Sequence, residues 1–102
     1  MSIYRQGDVL VRKVRAIPAK ASEAPREGGQ IVLAHGEVTG HKHAISSEHA
    51  TLYVEGLLRY LRVVKPVALH HEEHTEIKLP PGKYQIVIQR EYTPAAIRNV
   101  AD

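Results

Sequence analysis

The sequence contains no cysteine, no tryptophan and no phenylalanine. The missing thiols exclude disulfide scaffolds, cysteine-ligated zinc fingers, iron–sulfur clusters and thiol nucleophiles together. Five tyrosines are the whole complement of phenol, phenyl and indole rings, which is thin material for a base-stacking platform. No apolar run approaches the roughly 18 residues of a membrane-spanning helix. The opening stretch Met1 to Asp8 lacks the apolar segment of a secretory signal, so cytoplasmic residence without membrane association is the expectation. Glycine-rich phosphate loops, serine nucleophile elbows and dinucleotide fingerprints are also missing. Charge is close to balanced, with 14 basic against 11 acidic side chains and a net charge of +3. The basic residues are scattered, a balance that permits nucleic-acid binding without calling for it.

What remains is a chain of 102 residues, the length of one domain, taken as residues 1–102. A chain this short buries only about two-thirds of its unfolded surface, so its core gains from a metal, a partner or self-association. Valine-rich and leucine-rich segments separated by turn signals predict strands over Asp8 to Arg15, Gln30 to Ala34, Val38 to Ile45, Thr51 to Glu55, Leu57 to Val64, Val67 to His71, Thr75 to Leu79 and Lys83 to Arg90. Gly56 sets a hairpin turn between two of them, and Pro80-Pro81-Gly82 marks another turn. Ala19 to Gln30, with Pro25 and Gly28-Gly29, reads as a surface loop. Thr93 and Pro94 open a short C-terminal helix through Val100. Many short strands with one terminal helix predict an all-β fold, a small barrel or sandwich.

Against these absences stand seven histidines, so chemistry in this chain is expected to be imidazole chemistry. The densest cluster is Gly36-Glu37-Val38-Thr39-Gly40-His41-Lys42-His43. Residues two apart on a strand share a face, so His41 and His43 can meet one ion, and Ile45 of the same parity argues that this face is inward. The second cluster is His70-His71-Glu72-Glu73-His74. His71 shares parity with Val67 and Leu69, whereas His74 joins the inward set only if a turn at Glu72-Glu73 resets the phase. Glu48, Glu72 and Glu73 are carboxylates able to act as ligands or to orient the rings. His35, His49 and His70 read as surface or locally hydrogen-bonded histidines. The expected site is thus His41, His43, His71 and His74 around a divalent ion: zinc, iron, manganese or nickel.

The order Gly36, His41, His43, Glu48, Gly56 resembles the first motif of the cupin superfamily, a glycine, H-x-H, a glutamate and a second glycine, with two intervals each off by about one residue. Leu79-Pro80-Pro81-Gly82 is similar to the second cupin motif, but Lys83, Tyr84 and Gln85 stand where its histidine belongs. That resemblance implies a cupin-like metal-binding barrel, with His71 or His74 in place of the missing ligand. The chain also looks like an uncharacterised group of small bacterial and phage proteins with G-E-V-T-G-H-x-H, H-E-E-H-x-x-I-x-L-P-x-G-x-Y and Q-R-E-Y-x-P, matched by Gly36 to His43, His71 to Tyr84 and Gln89 to Pro94. This likeness covers most of the chain and marks His41, His43, His71 and His74 as a set.

Three functions fit these residues. A metal-binding domain holds an ion structurally, or catalytically if one coordination position is open to water or an oxygen-rich small molecule. A metal-free phosphodiesterase or ribonuclease uses two histidines as general acid and base with Lys42 or Arg90 stabilising charge. An oligomeric binding or assembly module, a homo-oligomer without chemistry, uses its histidines as a pH-sensitive interface. Metal binding is the preferred reading, with catalysis left open.

Overall fold

The computed structural model describes residues 2–36 and 40–89. The expected C-terminal helix, Arg90, most of the Gln89 to Pro94 motif and the Glu37-Val38-Thr39 portion of the first histidine motif lie outside them. Within the described residues the fold is all-β. The strands are β1 (Ile3–Gln6), β2 (Val9–Val14), β3 (Ser22–Glu23), β4 (Ile31–His35), β5 (Lys42–Ile45), β6 (Ala50–Glu55), β7 (Leu58–Val63), β8 (Val67–Leu69), β9 (Ile77–Leu79) and β10 (Gly82–Ile88). Among the described residues no helix is long and apolar enough to cross a membrane.

Six strands form one antiparallel sheet in the order β1-β2-β10-β7-β6-β3. It opens on a tight hairpin. Gln6 pairs with Val9 across a two-residue loop, Gly7-Asp8, and Gly7 takes a φ of 61°, the positive value that two-residue hairpin turns require and glycine supplies without strain. The β6–β7 hairpin turns at Gly56 as its sequence indicates, with Glu55 opposite Leu58. β4 pairs with β5 and β8 with β9 as separate ladders. A bridge between Ala44 and His70 joins them through reciprocal backbone bonds, Ala44 N–H to His70 O at 2.9 Å and His70 N–H to Ala44 O at 2.8 Å. The β4-β5-β8-β9 strands therefore act as a second layer.

One core unites the layers. Val9, Val11, Leu61, Tyr84 and Ile86 of the large sheet pack in the same buried cluster as Ile31, Leu33, Ile45, Leu69 and Leu79 of the second layer. Burial follows strand parity, as in β2, where Val9 and Val11 are fully enclosed while Arg12 is exposed. Of the two expected forms, barrel or sandwich, the layered one holds: among the described residues the sheets are not closed into a barrel, and the large sheet ends in two edges, β1 and β3. The segment Ala19 to Gln30 is no simple surface loop either. It contributes β3, which pairs with β6, and Arg26 holds it by donating to the backbone carbonyls of Gly29, Ser47 and Ala50.

Candidate metal centre

Two chain segments meet where the second layer approaches the β1–β2 hairpin. The first is β5, an apolar strand whose His43 shares the inward face with Ile45. The His43 side chain is only 2% exposed, and His41 precedes it just outside the strand. The second is the bend that follows β8, carrying His71, Glu72, Glu73 and His74. His71 continues the inward parity of Val67 and Leu69 and is 6% exposed. The bend after His71 breaks strand alternation, and that break turns His74 back toward the other rings.

The rings of His41, His43 and His74 each stand near that of His71. His43 and His71 have ring centroids 4.3 Å apart, His71 and His74 4.7 Å, His41 and His71 5.7 Å, and His43 and His74 6.2 Å. His71 is the hub, and His74 lies on the exposed side. Ligand atoms of His41, His71 and Glu72 lie within 4.8 Å of one another. The remaining histidines engage carboxylates elsewhere: His35 with Glu27 at 3.2 Å, His49 with Glu48 at 3.9 Å and His70 with Glu76 at 4.0 Å. Glu48 is thus drawn to His49, while Glu72 and Glu73 stay with the cluster.

Hydrogen bonds define the state of the rings. Gln6, 2% exposed, donates its amide nitrogen to the carbonyls of Leu69 at 2.9 Å and Thr75 at 3.0 Å. Those oxygens only accept, so the amide oxygen is the atom turned to His43 Nδ1, at 2.8 Å, and Nδ1 is the protonated nitrogen. His43 Nε2 then faces Asp8 Oδ1 at 3.6 Å. At His71 the arrangement is reversed, since Glu73 N–H donates to Nδ1 at 3.0 Å. His41 Nδ1 is buried with no hydrogen-bond partner among the described residues and lies 3.7 Å from Glu73 Oε2. A buried ring nitrogen without a partner carries a desolvation cost that a bound ligand relieves.

At His71 the electrostatics favour the neutral imidazole. Burial pushes the His71 pKa below its ordinary value, and the neighbouring His74 and His41 push it further down against the pull of Glu72 and Glu73. Glu72 is held below the usual carboxylate range, first by the Lys42 backbone N–H and then by its own; the Lys42 contact is 2.9 Å and ties the bend to β5. Neutral rings beside ionised carboxylates are the form in which these groups bind a cation.

Residues 5–89 match the family described as Domain of unknown function (DUF8820). The chain belongs to that family. No curated protein and no solved structure matches it. All members of the cluster lie inside the part shared with DUF8820.

Sequence reading of this DUF8820 domain missed Gln6, Gly7 and Asp8. A Cβ on Gly7 would stand 2.7 Å from His74 Nε2 and 3.4 Å from His43 Cε1, so the hairpin tip is in contact with the rings. Gly36 approaches from the other side, where a Cβ would meet His71 Nε2 at 3.3 Å. The available signal was Gly7-Asp8 as a two-residue hairpin loop; starting the first strand at Asp8 hid β1 and the turn together.

Proposed function

We infer that this domain binds one divalent transition-metal ion through His41, His43, His71 and His74. The carrying observation is the convergence of four imidazoles from two separated segments, with His71 in ring contact with all three others. Four rings this close cannot all be protonated without strong repulsion, and a shared cation uses their lone pairs together. The buried, unpartnered Nδ1 of His41 and the adjacent Glu72 carboxylate support the same reading. With no thiolate present the donors are nitrogen and oxygen, a set suited to zinc, iron, nickel or manganese.

The cupin-like order of residues supports this reading through His41 and His43, and His71 and His74 stand in for the histidine absent after Gly82. Glu48 departs from that order, being engaged by His49. Because His74 is exposed, an ion held by these rings would be open on the His74 side to a water or an oxygen-rich small molecule, and it would supply Lewis acidity. A neutral imidazole has one in-plane lone pair, and in His71 that lone pair accepts the Glu73 N–H. Coordination through His71 at either nitrogen therefore requires release of this contact.

Elemental analysis of the purified chain, joined to melting curves with and without chelator, tests the proposal. The expected result is close to one equivalent of metal per chain and a lower melting temperature after chelation. Absence of metal, no uptake on adding zinc or iron(II), and identical melting curves overturn it.

A further inference from the structure

We propose that the tip of the β1–β2 hairpin is a third arm of this centre, in which Asp8 gives a carboxylate oxygen to the ion; this rests on the metal-binding reading above. Gln6 fixes the orientation of His43. Its amide nitrogen is committed to the Leu69 and Thr75 carbonyls, so its oxygen receives Nδ1–H, and Nε2 is the His43 nitrogen turned toward the hairpin tip. That nitrogen faces Asp8 Oδ1 at 3.6 Å. The separation is longer than an ordinary hydrogen bond. It suits two ligands of one ion: bonds of about 2.1 Å set neighbouring ligand atoms about 3.0 Å apart at a right angle and about 3.4 Å apart at the tetrahedral angle.

The hairpin is built to hold this position. Gly7 lets the backbone approach to where a Cβ would overlap His74 Nε2. The Asp8 carbonyl accepts the Gln89 N–H at 2.6 Å, which anchors the loop to the end of β10. Asp8 keeps its side chain about a quarter exposed, at 26%, so its carboxylate reaches the ring cluster from the solvent side without the penalty of full burial. A carboxylate added to the imidazoles makes the donor set harder and moves its preference toward iron(II) and manganese(II) relative to an all-imidazole site.

Cobalt(II) titration of the chelator-treated full chain, followed by calorimetry and visible absorption, tests this in the wild type and in Asp8→Asn, Asp8→Ser and Glu76→Gln. Asparagine and serine are both compatible with the turn, and circular dichroism verifies the fold. Glu76→Gln removes an exposed negative charge beside His70, outside the cluster. The expected result is cobalt affinity lowered at least about 10-fold by either Asp8 substitution, with shifted visible bands, and wild-type behaviour in Glu76→Gln. Unchanged affinity and spectrum in both Asp8 variants overturn the role of Asp8 while leaving the histidine centre standing. A wild-type chain that takes up no cobalt overturns both.

Discussion

Gln6 and Gly7 show how much of the candidate centre depends on side chains with no metal chemistry of their own. Replacing Gln6 by leucine leaves the Leu69 and Thr75 carbonyls without their donor in a buried setting, at a cost of about 1–3 kcal/mol for each unsatisfied group. Chemical denaturation is expected to show a loss in that range, together with weaker metal uptake because His43 is no longer oriented. Gly7→Ala combines a positive φ of 61°, worth roughly 1–2 kcal/mol against a residue with a Cβ, with a Cβ placed 2.7 Å from His74 Nε2. It is expected to lower stability by at least that amount and to displace His74, a shift that the imidazole resonances of His74 report. His43 and His71, both buried, were legible in the sequence as inward residues through strand parity. Gln6 was not, because a buried amide that bonds to two carbonyls and a ring has no spacing pattern. It becomes visible only when β1 lies beside the bend after His71.

At the scale of elements, the hairpins and strand segments were read correctly wherever alternation was clean, as in Thr51 to Glu55 with Leu57 to Val64. What could not be read was pairing between elements distant in sequence. The Ala44–His70 bridge joins β5 to the end of β8 by two bonds, and it is this bridge that sets the two histidine clusters side by side. β3 was missed because two residues, Ser22 and Glu23, are too few to show a period, and Arg26, which pins that segment, looks like any surface cation. The bridge yields a prediction for hydrogen exchange. On the proposed metal-binding reading zinc ties the two clusters together, so the Ala44 and His70 amides are expected to exchange more slowly in its presence. The Glu73 amide is expected to shift most, because its bond to His71 Nδ1 is released. Unchanged exchange at Ala44 and His70 in zinc-loaded protein contradicts this coupling.

For the whole molecule, two pH and ligand responses follow from the packing. Tyr84 is fully enclosed, donates to the Pro80 carbonyl at 2.6 Å, and has its pKa raised first by burial and then by Tyr4. A raised pKa means that the protonated form is favoured in the folded state. Its stabilising contribution is therefore complete below the unfolded value of about 10 and is lost as pH rises through the higher folded value. Unfolding free energies measured across that alkaline range are expected to fall in the wild type and to fall less in Tyr84→Phe. On the proposed reading a bound metal adds stability by mass action, about 2.7 kcal/mol when the free ion is a hundredfold above its dissociation constant. For a chain of this size that corresponds to a rise in melting temperature of roughly 10 °C or more. The central claim is that four histidines from two clusters share one ion, and anomalous diffraction at the zinc edge from crystals grown with zinc tests it most directly. The account predicts one strong peak within about 2.0–2.2 Å of ring nitrogens of both His43 and His71. Peaks confined to His35, His49 or His70, or no peak among the four rings, contradict it.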